Sequence, residues 1–107
     1  MNDNTVLFSV ETPSGFSVSV DNQRWRLIVA QKHPVLTGQE VLVKDMLMNP
    51  DQIRKGKSDG SVYLFYRLVK EKRWICAVVK HQNSSGSFLI TAYPTDAVKE
   101  GEVIWIK

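Results

Sequence analysis

From residue 62 onward the chain turns to strand-length runs, read as a switch to a period of two, and this switch constrains the fold more than any other feature of the 107-residue chain. Three runs, Val62 to Val69, Trp74 to His81 and Gly86 to Tyr93, are rich in β-branched and aromatic residues. They are separated by Lys70-Glu71-Lys72-Arg73 and Gln82-Asn83-Ser84-Ser85, short polar stretches of the kind that close hairpins. An antiparallel meander is predicted. A last strand, Glu102 to Ile106, follows a turn near Lys99-Glu100-Gly101 and is expected to extend the same sheet.

The first 20 residues read as a hairpin, with Val6 to Val10 and Phe16 to Val20 flanking the turn signal Thr12-Pro13-Ser14-Gly15. Asp21 or Asn22 then caps a helix running to about Lys32, since Trp25, Ile28, Val29 and Lys32 share a stripe and Pro34 stops propagation. Arg26, Ala30 and His33 form the neighbouring stripe. Thr37-Gly38-Gln39-Glu40 has capping-box spacing, so a second helix is expected to start there, with Leu42, Val43, Met46 and Leu47 as its apolar face. Asn49-Pro50-Asp51-Gln52 repeats the start signal and predicts a short helical turn over 50–54. The basic, glycine-containing stretch 54–60 reads as an exposed loop. The expected class is α+β: an N-terminal hairpin, two helices, then an antiparallel four-stranded sheet with helices on one face.

The length fits a single domain over 1–107. Uninterrupted apolar stretches reach only four or five residues, against the roughly 20 that a membrane-spanning helix needs. No export signal precedes the first strand, and the lone Cys76 has no partner for a disulfide or a thiolate metal site, so a cytoplasmic location without a membrane partner is expected. Charge is uneven. Residues 1–23 carry three acids and no Lys or Arg, residues 24–80 carry twelve Lys and Arg against five Asp and Glu, and residues 81–107 carry two against three. A local polyanion site in the middle of the chain is therefore compatible with a net charge of only +3, as is an ordinary solvated surface.

With Leu64, Tyr66, Leu68, Ile75, Ala77, Val79, Phe88, Ile90 and Ala92 assigned to the helices, the opposite sheet face displays Tyr63, Phe65, Arg67, Trp74, Cys76, Val78, Lys80, Leu89, Thr91 and Tyr93. A register slip of one residue exchanges these sets. Cations meet phosphates and rings stack on bases, so such a face suits an oligonucleotide. Each residue also has a plain structural reading. Arg67 and Lys80 are equally solvated strand cations, Thr91 a β-former, Tyr93 a packing residue at a strand end, and His33 a cation complementing a helix C-terminus. His81 reads as structural. The two histidines lie 48 residues apart, and no metal-ligand spacing, phosphate loop or dinucleotide glycine pattern occurs. No cofactor is expected.

Several segments resemble a small bacterial and phage branch of the barnase, EndoU, colicin and RelE superfamily of nuclease folds. They are His33-Pro34, Asn49 to Ile53 (NPDQI), Ser58 to Gly60 (SDG), Tyr63 to Arg67 (YLFYR), Val78 to Lys80 (VVK), Thr91 to Asp96 (TAYPTD) and Lys99 to Trp105 (KEGEVIW). The resemblance covers about three quarters of the chain, from Trp25 onward; it leaves the hairpin over 1–20 as an extension and 21–107 as the nuclease core. It implies a metal-independent endoribonuclease of toxin type, with His33, Arg67, Lys80, Thr91 and Tyr93 at the catalytic site. In that reading a base removes the ribose 2′-OH proton, the oxygen attacks phosphorus, and an acid protonates the departing 5′-oxygen, leaving a 2′,3′-cyclic phosphate. An imidazole titrates near neutrality, so His33 takes one proton transfer. Tyr93 takes the other or stacks on a base, Arg67 and Lys80 offset transition-state charge, and Thr91 orients a phosphate oxygen. RNA contacts are expected from Arg26, Arg54, Lys55, Lys57, Tyr63 and Trp74.

Two rivals stand beside this reading. One is a non-catalytic module that binds RNA or an acidic protein through the same face. The other is a partner protein whose exposed apolar residues, including Trp105 and Ile106, form a subunit interface in a homo-oligomer. For a toxin, the resemblance further implies a small acidic antitoxin.

Overall fold

A computed structural model describes residues 5–82, 86–98 and 101–107. The N-terminal hairpin forms as the alternation requires, with β1 (Val6–Glu11) antiparallel to β2 (Ser17–Asp21). Asp21 caps the next element by accepting a hydrogen bond from the Arg24 amide at 2.7 Å. Helix α1 (Asn22–Leu27) then continues into a π-helical stretch, Ile28–Lys32, closed by the His33 amide donating to the Ile28 carbonyl at 2.7 Å. His33 itself has left helical geometry (φ −138°, ψ 74°), in line with the bias against the helical region for a residue before proline.

The capping box does not form. Pro34–Leu36 makes a 3₁₀ turn anchored by buried Leu36, and the Thr37 hydroxyl donates back to the Pro34 carbonyl at 2.7 Å. Thr37 thus ends one turn and does not start the next helix, so α2 (Glu40–Met48) begins at Glu40 without a side-chain cap. Its face is as the spacing predicts: Val43, Met46 and Leu47 are fully buried and Val41 is exposed. The helical turn expected over 50–54 is instead a strand, β3 (Gln52–Lys55). Pairing on both sides overrides the local Asn-Pro signal: Ile53 is completely buried between Phe65 of one neighbour and Trp105 of the other.

The meander follows as β4 (Val62–Lys70), β5 (Arg73–His81) and β6 (Ser87–Thr95), and β7 (Glu102–Ile106) ends the chain's regular structure. All strands belong to one sheet ordered β1-β2-β6-β5-β4-β3-β7. This corrects the expected four-stranded antiparallel sheet with helices on one face: the sheet is seven-stranded and mixed. Two things enlarge it. The chain returns through the helices between β2 and β3, which brings β2 beside β6 in parallel at Ser19 and Phe88. β3 then adds a strand and offers its outer edge to β7.

The main core joins Trp25, Ile28, Leu36, Val43, Met46 and Leu47 of the helical segments to Phe8, Val10, Val18, Val20, Ile53, Phe65, Ile75, Ala77, Val79, Leu89 and Ala92 of the sheet. A second cluster lies on the other sheet face, with Leu64, Tyr66 and Cys76 buried among Val62, Trp74, Val78, Tyr93 and Val98. Two assignments of faces therefore reverse. In β4, Tyr63, Phe65 and Arg67 face the helices, while Leu64 and Tyr66 take the second face. In β6 a bulge opposite Val78 and Val79 puts Leu89 with the main core, yet leaves Thr91 and Tyr93 opposite Val78 and Cys76 on the second face.

That second face is not open. β6 and β7 are four strand positions apart, about 19 Å, and the seven residue steps from Thr95 to Glu102 reach at most about 25 Å. The short connection between them includes Val98 and Gly101. Val98 packs on the second cluster, and Gly101 lines a cavity with Val62 and Leu64. Tyr66 beneath is only 2% exposed. The expected turn residues 99–100, and residues 83–85 between β5 and β6, lie outside the described residues.

Candidate functional site

The five residues expected at a catalytic site fall into three groups. His33 and Tyr93 are brought together: the helix end carries His33 beside β6, and the two rings sit 5.7 Å apart, tilted by 38°. Among the described residues β2 pairs with β6 only at Phe88, so β6 from Ile90 to Thr95 has a described strand neighbour on one side alone, and the ring pair occupies this edge. Thr91 shares a face of β6 with Tyr93, two residues away. Its hydroxyl oxygen is buried and has no hydrogen-bond partner among the described residues. Such an oxygen has been desolvated without compensation, as has Glu40 Oε1 on α2.

Arg67 is elsewhere. It faces the helices, and its Nη1 donates to Asp45 Oδ2 at 2.8 Å and to the Asn49 carbonyl at 3.0 Å. The pair ties α2 to β4, and the Arg67 guanidinium holds the Asp45 carboxyl below its ordinary value, with help from the Asn49 side chain. Lys80 is at the far end of the second face, with its Nζ 2.9 Å from Asp59 Oδ2. Asp59 also accepts from the Ser61 hydroxyl at 2.6 Å and the Ser61 amide at 2.9 Å, and these bonds, with Lys80, hold its carboxyl far below the ordinary range. Neither carboxylate was a candidate from sequence. Asp59-Gly60-Ser61 carries the signature of an Asx turn, whereas nothing local marks Asp45 as the partner of a strand residue 22 positions on.

The expected RNA contacts are equally dispersed. Tyr63 faces the main core and meets Phe16 edge-on at 5.0 Å, while His81 stacks on Phe16 at 4.2 Å, consistent with packing. Trp74 is half-buried in the second cluster. Arg54 lies on the second face opposite Leu64, with its Nε donating to Gln52 at 2.9 Å. Lys55 ends β3, Lys57 is exposed in the following loop, and Arg26 is exposed on α1. Loop residues 56–59 with Val62, Leu64 and Gly101 line an open cavity of about 370 Å³ that no sequence signal announced. Among the described residues, no three His, Cys, Asp or Glu side chains are grouped to hold a metal ion, and no helix is long and apolar enough to cross a membrane. No protein-family model, curated protein or solved structure matches this chain.

Proposed function

We propose that the chain is a metal-independent endoribonuclease of the cytoplasm that cleaves RNA by 2′-OH transesterification at the edge of β6. The observation that carries this reading is the contact between the His33 and Tyr93 rings, two groups able to move protons, at a strand edge that no other strand among the described residues covers. In the proposed reaction His33 accepts the 2′-OH proton, the 2′-oxygen bonds to phosphorus, the P–O5′ bond breaks and Tyr93 supplies the proton to the 5′-oxygen. A small acidic protein inhibitor belongs to the same proposal, since it would compete with RNA for the basic middle of the chain.

One observation favours a second reading, in which the protein binds RNA without cutting it. Arg67 and Lys80 are each held by a carboxylate away from the His33 and Tyr93 rings, so neither cation stands beside the ring pair to offset transition-state charge. Incubation of the purified protein with a labelled RNA oligonucleotide in EDTA, beside His33→Ala and Tyr93→Phe, separates the two. Cyclic-phosphate ends that disappear in both variants are the expected result. Salt-dependent binding of intact RNA supports the second reading. Absence of both cleavage and binding overturns them together.

A further inference from the structure

The cavity of about 370 Å³ on the second face lies at the turn from β3 to β4. Its apolar wall is Val62 and Leu64, and its rim is Gly56, Lys57, Ser58 and Asp59, with Gly101 closing it from the β7 side. The size suits a small ligand with one ring system. The rim is shaped by close backbone approach: the Gly56 amide donates to the Val62 carbonyl at 2.8 Å, and a Cβ on Gly56 would stand 2.8 Å from the Asp59 carbonyl oxygen. Of the rim residues, Lys57 and Ser58 have backbone amides that make no hydrogen bond among the described residues.

Charge decides what kind of ligand fits. Asp59 is turned to internal partners, with one carboxylate oxygen on Ser61 and the other on Lys80. Lys57 has no ion-pair partner among the described residues. The rim therefore offers an unbalanced cation and backbone donors above an aliphatic wall. Leu64 pairs with Val78, which pairs with Thr91, so the cavity wall is two strand spacings, about 10 Å, from the β6 edge on the same sheet face.

We infer that this cavity is a nucleotide subsite: the Val62 and Leu64 wall receives a nucleobase, and Lys57 with the neighbouring loop amides receives its phosphate. The inference rests on the RNA reading above and adds to it a place, separated from the β6 edge by the covered second cluster, where a nucleotide away from the cleaved bond is held. It is tested by titrating isotope-labelled protein with adenosine 5′-monophosphate, and separately with inorganic phosphate, while following backbone amide resonances. The expected result is shifts at residues 56–62, at Leu64 and at Gly101, with affinity about tenfold weaker in Lys57→Ala and no binding in Ser58→Trp, which fills the cavity from its exposed rim. Unchanged thermal unfolding of Ser58→Trp confirms that it folds. Equal shifts with phosphate alone identify an adventitious anion site and overturn the subsite, as do shifts elsewhere or none. RNA cleavage measured on the same samples keeps the two ideas apart. Cleavage without cavity shifts removes the subsite and leaves the nuclease reading, and cavity shifts without cleavage do the reverse.

Discussion

Arg67 shows how one residue's role depends on which way it points. On an open face it would meet phosphate, and its removal would leave folding untouched. Facing the helices, it links β4 to Asp45 and to the end of α2 through two hydrogen bonds. Side-chain exposures of 27% for Arg67 and 44% for Asp45 place the pair partly in solvent, where such a contact contributes about 0.5–1 kcal/mol. Arg67→Ala and Asp45→Asn should each lower stability at pH 7 by about that amount in urea melts. The pH dependence has a definite sign. The folded carboxyl of Asp45 titrates below its ordinary value of 3.8, so its contribution is present above that pH and lost as pH falls through the folded value. Asp45→Asn should therefore differ from the parent at pH 7 and converge with it in strongly acidic solution. A deficit that persists in acid would point to lost packing, not lost charge. His33 and Tyr93 were individually visible in the sequence, but residues 60 positions apart meet only because the helix end and β6 share an edge.

At the scale of elements, local signals succeeded where one residue pattern served one partner. The Asp21 cap, the apolar stripe of α2 and the strand-rich runs after residue 62 all formed near their expected bounds. They failed where a segment served two. Gln52–Lys55 is a strand because β4 and β7 pair with it, and Thr37 satisfies the turn behind it before the helix ahead. The end of the crossing to β7 is similarly dictated by its neighbour. Gly101 has φ +83°, and an added Cβ would lie 2.8 Å from the Lys55 carbonyl oxygen and 3.1 Å from Arg54 Cβ. Gly101→Ala should cost about 1–3 kcal/mol, from backbone strain together with the displaced contact. Hydrogen exchange should show the loss first at the amides of β7. Uniform loss across the sheet would contradict that local origin.

For the whole molecule, the N-terminal hairpin is joined to the other strands at a single parallel bridge, Ser19 to Phe88, yet it supplies Phe8, Val10, Val18 and Val20 to the main core. Burying each such side chain contributes about 1.5–3 kcal/mol. Together that is comparable with the roughly 5–15 kcal/mol net stability of an ordinary domain. A chain lacking residues 1–20 should therefore not reach a packed state; loss of near-ultraviolet circular dichroism with gain of dye binding would show it, and a cooperative melt would refute it. Composition and periodicity by themselves determined a β-rich chain with an N-terminal hairpin and two helical segments, because propensity and capping act within a few residues. They could not choose the face of β4, since Val62 to Val69 is apolar at every position but Arg67, and a strand buried on both sides has no alternation to read. Only the tertiary structure decided that face, the seven-stranded order and the meeting of His33 with Tyr93. Each depends on pairings between distant segments, and their free energy is realised only when both partners and the covering layer are in place.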